Sequence, residues 1–106
     1  MGIFDFLRGP DINNGVREYR EMDGAVLLDV RTVQEYRVGH IPGSKNVPLQ
    51  VIDNIRNIVK NKNTPLYVYC QSGSRSRQAA DLLGALGYGN VKNIGGISAY
   101  SGKVEV

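Results

Sequence analysis

Cys70 is the only cysteine in the chain. It ends a short apolar run, Leu66-Tyr67-Val68-Tyr69-Cys70, that opens after Pro65. Gln71, Ser72, Gly73 and Ser74 follow, then Arg75, Ser76 and Arg77, with a helical pattern beginning at about Ser76. A thiol is a useful nucleophile only as the thiolate, so a site that employs one must draw its pKa down from about 8.5. A helix N-terminus does this with unpaired N–H groups and the positive end of the macrodipole. Gly73 and the small Ser72 and Ser74 let the backbone curl so that successive N–H groups face inward as an anion-binding nest. The serine hydroxyls add further donors.

Arg75 and Arg77 strengthen this reading. The first turn of a helix gains stability from Asp or Glu and loses a little from cations, so two arginines there make sense if an anion is normally present. Each feature alone has a plainer account. A buried cysteine often serves as a small hydrophobe, and Arg77 as a solvated helix former. Together they favour function. The other candidates are weaker: His40, the single histidine, sits beside a Pro-Gly turn and reads as structural. Asp29 at a strand end is expected to pair with Arg31 or cap nearby backbone, and Glu35 to cap a helix, so both read as scaffold. One Cys and one His are too few for a metal site of the zinc type.

The elements that must position Cys70 follow from pattern. Residues 25–30, Ala-Val-Leu-Leu-Asp-Val, and 66–70 read as inner parallel strands. Shorter extended pieces are expected at Asp11-Ile12, near 46–49, and at 90–94. A polar helix is expected over 14–22 with Val16 and Tyr19 inward. Thr32 and Glu35 form a T-x-x-E capping box that starts a helix at 33, and Gly39 is placed to end it. Pro42-Gly43 occupies the centre of a type II turn. Val51, Ile52, Ile55, Ile58 and Val59 predict an amphipathic helix over 50–60. Ala79, Leu82, Leu83 and Leu86 predict a core-facing helix ended by Gly87, with Gly84 explained by close packing against a neighbour. Gly95-Gly96 and a turn around Tyr100 close the chain. Strands alternating with helices predict an α/β domain, a mainly parallel sheet of about five strands flanked by helices on both faces. In such sheets ligands bind beyond the carboxyl ends of strands, where Cys70 lies.

The totals bound the rest. The 106 residues make one small domain, with 1–10 as a short N-terminal extension or capping helix bearing Ile3, Phe4, Phe6 and Leu7. A formal charge of +3, spread without a run, gives no nucleic-acid footprint. No apolar run is long enough to span a membrane, and the N-terminus lacks the basic and apolar regions of a signal peptide. Phe6 breaks the myristoylation pattern. A cytoplasmic, reducing location is expected, which suits a free thiol.

With Leu27-Leu28-Asp29-Val30-Arg31, Glu35-Tyr36, Gly39-His40-Ile41-Pro42-Gly43-Ser44, Asn46-Val47-Pro48, Cys70-Gln71-Ser72-Gly73-Ser74-Arg75-Ser76 and Gly95-Gly96 in that order, the chain resembles a single-domain rhodanese from about Ile12 to Gly102. The resemblance implies a sulfurtransferase in which Cys70 accepts a sulfane sulfur as a persulfide. Gln71, Ser72, Gly73, Ser74, Arg75 and Ser76 would bind the substrate: backbone N–H groups cradle the outer sulfur and Arg75 supplies charge for an anionic donor. No cofactor or metal is implied. With no second cysteine to resolve the persulfide, the acceptor must be external: cyanide, a small thiol or a sulfur-carrier protein. Related phosphatases and arsenate reductases resemble C-x5-R. Cys70 to Arg75 is C-x4-R, a narrower cradle suited to one sulfur. Gln71 stands where many members carry Arg, which leaves a persulfide or polysulfide donor open beside thiosulfate. Tyr100 stands where Trp is frequent. The alternatives are a phosphatase-like or arsenate-reducing enzyme, or a non-catalytic sulfur-sensing or docking module.

Overall fold

Alternation of small apolar and aromatic residues lets one strand feed two cores, and Leu66–Cys70 does so with every residue buried. In the computed structural model, which describes residues 9–106, this strand (β3) lies between β1, Val26–Asp29, and β4, Val91–Gly96. The two-residue β2, Lys45–Asn46, completes a four-stranded, all-parallel sheet in the order β2-β1-β3-β4. Leu66, Val68 and Cys70 join Leu28 in one buried cluster, whereas Tyr67 and Tyr69 join Leu27 in the other. That is the period of two a pleated strand imposes.

Helix α1, Ile12–Glu21, covers the second cluster through Ile12 and Val16. Helix α2, Val33–Val38, follows β1 behind the expected capping box, with Thr32 and Glu35 bonded reciprocally. The first cluster is closed by α3, Ile55–Ile58, and α4, Ser74–Ala85, which contribute Ile55, Ala79 and Leu83. The chain belongs to the α/β class, with helices against both sheet faces. Pro42-Gly43 forms the expected turn: Gly43 has φ +90° and Ser44 N–H donates to Ile41 O at 3.1 Å.

Several expectations are corrected. The sheet has four strands among the described residues, because Asp11-Ile12 starts α1 rather than a strand. The Asp11 carboxylate accepts the N–H groups of Asn13 and Asn14 as an N-cap. The single helix expected over 50–60 is instead a 3₁₀ segment, Leu49–Asn54, broken at Val51, and then the one-turn α3. Five β-branched residues resist a continuous helix there, and the break leaves Val51 and Ile58 exposed while burying Ile52, Ile55 and Val59. Helix α4 starts two residues before Ser76, and Leu82 faces solvent. Gly84 has open space around its Cα, so no close packing explains it. Gly39 does end α2, but in extended geometry at φ 170°. The proposed capping segment at 3–8 lies outside the described residues.

Candidate active site at the end of the third strand

Cys70 is the last residue of β3, opposite Gly96 of β4, and is fully buried. Its Sγ accepts the backbone N–H of Gly73 at 3.0 Å and lies 3.4 Å from Ser76 Oγ. The turn between them depends on two glycines. Gly73, the N-cap of α4, has φ +105°, a left-handed conformation that suits glycine. A Cβ on Gly96 would collide with the Gln71 carbonyl and Ser72 Cα, so only glycine lets β4 approach the loop this closely. Ser98 N–H fastens the loop from the same side by donating to Gln71 O at 3.1 Å.

Burial alone pushes a thiol pKa up. Here that effect is outweighed by the Ser76 hydroxyl and by the N–H groups of Ser76, Gly73 and Ser72, and the Cys70 pKa falls below its ordinary value. Helix α4 has no side-chain N-cap and no acidic residue in its first turn. Its positive end is therefore left to the sulfur.

The remaining loop residues divide. Ser72 and Gly73 wall a hollow of about 420 Å³ with Arg77, Asn93, Gly96 and Ser98. Ser74 is exposed. Arg75 turns to Glu35, its Nη1 and Nη2 donating to Oε1 and Oε2 at 2.7 and 3.0 Å. Glu35 thus has a second role beyond the helix cap. The Arg75 guanidinium holds its carboxyl far down, at about 2, helped by Thr32 and opposed by burial. The same pairing raises the Arg75 pKa.

Gln71 is exposed, and its Oε1 accepts from Arg31 Nη1 at 3.3 Å. Arg31 is itself tied to the fully buried Asp29 by Nε–H and Nη2–H bonds, the shortest 2.7 Å, as the strand-end reading expected. Burial works against the Arg31 charge, but the Asp29 carboxylate overrides it and raises the pKa. His40 stacks on Tyr36 with ring centroids 3.8 Å apart, and its Nδ1 meets Tyr36 O at 2.9 Å, a structural post. Tyr100 packs against the α1-side cluster. Among the described residues, no three His, Cys, Asp or Glu side chains gather where a metal ion could sit, and no helix is long and apolar enough to cross a membrane.

Asn93 was not singled out by sequence reasoning. Its Oδ1 accepts from Ser76 Oγ at 2.7 Å and from Gly95 N–H at 3.0 Å, directly behind the thiol. No local signal marks it, since it reaches the loop from another strand.

The family described as Rhodanese-like domain matches residues 14–103. The chain belongs to that family. It is 39% identical over 71 residues to thiosulfate sulfurtransferase PspE of Escherichia coli, covering 66% of this chain and 68% of PspE. To a protein of Allochromatium vinosum named sulfurtransferase it is 38% identical over 82 residues, covering 76% of each. Among solved structures, a rhodanese with anions from E. coli superimposes with a TM-score of 0.72 at 33% identity, covering 76% of this chain and 96% of that one. The chain spans about two thirds of the length of the first two curated relatives it matches, and smaller shares of the next two.

Proposed function

We propose that this rhodanese-like chain is a sulfurtransferase that carries a sulfane sulfur on Cys70. The observation that carries the reading is the sulfur itself, 3.0 Å from the Gly73 N–H under an otherwise uncapped helix end. That environment favours the thiolate and would equally hold a charged outer sulfur. With thiosulfate as donor, the Cys70 thiolate attacks the outer sulfur, the S–S bond to the sulfonate breaks, and sulfite leaves with the electron pair. The product is a Cys70 persulfide. An external thiol or cyanide then attacks the outer sulfur and the Cys70 thiolate is regenerated, a two-step covalent cycle. The same first step from a low-molecular-weight persulfide expels a thiolate instead of sulfite. A sulfur-carrier protein is an acceptor of the same chemistry.

In this reading Cys70 is the nucleophile. The backbone of Gln71, Ser72, Gly73, Ser74 and Arg75 lines the cradle, and Ser76 supports the sulfur from behind. Arg75 contributes positive potential while braced by Glu35. The kinship to a thiosulfate sulfurtransferase supports the reaction class. The test is direct: incubation with thiosulfate and cyanide should yield thiocyanate, and donor treatment without acceptor should raise the intact mass by one sulfur atom. Cys70→Ser should abolish both. Thiocyanate formation that persists in Cys70→Ser, or a wild-type chain that gains no mass from thiosulfate or a persulfide, overturns the proposal.

A further inference from the structure

Ser76 has one hydroxyl proton and more acceptors around it than that proton can serve. Its Oγ, on a fully buried residue, lies 2.7 Å from Asn93 Oδ1, 3.0 Å from Gly73 O, and 3.4 Å from both Gly95 O and Cys70 Sγ. The Asn93 contact is the shortest. The orientation of that amide is set at both ends, since Oδ1 also accepts from Gly95 N–H at 3.0 Å while Nδ2 faces the Gly73 carbonyl at 3.5 Å.

We infer that Asn93 is a positioning residue: it accepts the Ser76 hydroxyl hydrogen bond while Cys70 is a neutral thiol and gives that hydrogen bond up to the sulfur when Cys70 becomes a thiolate. In the neutral state Cys70 S–H donates to Ser76 Oγ, and Ser76 O–H donates to Asn93 Oδ1. Loss of the thiol proton turns the sulfur from donor to acceptor. The Ser76 hydroxyl then needs only to rotate about its C–O bond to donate to sulfur. Asn93 Oδ1 keeps the Gly95 N–H throughout, so neither state leaves a buried acceptor orphaned, the condition under which a polar network is cheap to rearrange. Asn93 therefore competes with the thiolate for one hydrogen bond, and its strength as an acceptor adjusts how readily Cys70 ionises.

This deepens the sulfurtransferase reading by adding a residue behind its nucleophile, but its test requires no turnover. The charged groups facing the loop are Arg75 and Arg77 on α4, Glu35 on α2, and Arg31 and Asp29 at the end of β1, and all stay unchanged in the variants. Because Cys70 is the sole cysteine, the ultraviolet absorbance of its thiolate can be titrated against pH in the intact chain, with Cys70→Ser as the blank. Asn93→Ala removes the nearest competing acceptor and leaves only the more distant Gly73 and Gly95 carbonyls, so it should lower the midpoint by about half a pH unit, the order of one neutral hydrogen bond. In a Ser76→Ala background that shift should vanish. Asn93→Asp, of equal size, holds the hydroxyl harder and should raise the midpoint, by more with Ser76 present than with Ser76→Ala. An Asn93→Ala midpoint that rises or stays put, or shifts equally without Ser76, overturns the inference. Should Asn93→Ala not fold, equal Asn93→Asp shifts in the two backgrounds overturn it. Failure of the wild-type chain to load sulfur would instead sink the sulfurtransferase reading and leave this titration decisive for Asn93.

Discussion

Two neighbouring strands, β1 and β3, each run into a helix through a short turn, and they satisfy the helix end in opposite ways. After β1, Asp29 takes the Arg31 N–H and guanidinium, and Thr32 and Glu35 cap α2 reciprocally. The Arg31 N–H and the start of α2 are matched by the Asp29 and Glu35 carboxylates and the Thr32 hydroxyl. After β3, helix α4 has no side-chain cap, no acid in its first turn and a glycine as N-cap. The group set under that end is Cys70, whose charge changes with its chemistry. A turn closed on its own carboxylates is a fixed support, whereas one closed on a thiol leaves its positive potential to a group whose charge can change. The two are coupled, because Glu35 of the first turn holds Arg75 of the second.

Breaking the fixed turn should cost the most. Asp29→Ala strands the Arg31 guanidinium, only 4% exposed, without its carboxylate, and loss of one partner of a buried ion pair costs about 3–5 kcal/mol. Denaturant unfolding measures this. A loss below about 1 kcal/mol would show that the turn does not depend on the pair.

The link between the turns should be visible in acid. Glu35 titrates at about 2 in the folded chain against an ordinary 4.5. A depressed folded pKa means the contribution is fully present above the ordinary value and is lost as pH falls from about 4.5 through about 2. Both side chains of the pair are about a third exposed, 33% and 31%, so solvent screening limits it to under about 1 kcal/mol. Glu35→Gln keeps the capping box and should flatten the fall in Tm between those pH values. Parallel acid limbs for variant and wild type would place the titrating group elsewhere.

The smallest effect comes from making the second turn resemble the first. Ser74→Asp sets a carboxylate in the exposed first turn of α4 and should stabilise the chain by about 0.3–1 kcal/mol. The same charge should raise the Cys70 pKa and slow sulfur loading from an anionic donor, read as mass gain over time. A variant that is more stable and loads as fast as wild type would erase the distinction between the turns.

Much of this was legible locally. The T-x-x-E cap, the Pro-Gly turn, the inner strand at 66–70 and the thiol before a cation-rich helix start all depend on residues within a few positions of one another, where hydrogen-bond reach translates directly into spacing. The misreadings lie where tertiary packing competes with local pattern. The apolar residues of 51–59 carried a helical period, yet the β-branched run bends around Ile52 and Ile55 to fill the space beneath α4. Asp11 does have extended backbone, but as the N-cap of α1 rather than as the start of a strand.

By itself, then, the order of residues determined the α/β class, the strand end that carries Cys70, and a six-residue C-x4-R loop with no second cysteine to pair an oxidised thiol. Only the tertiary structure decided how that loop is held. Gly96, Asn93, Glu35 and Arg31 reach it from other strands and helices, across 17 or more positions of sequence. Spacing along the chain carries no signal of such contacts, because the parallel sheet brings them together.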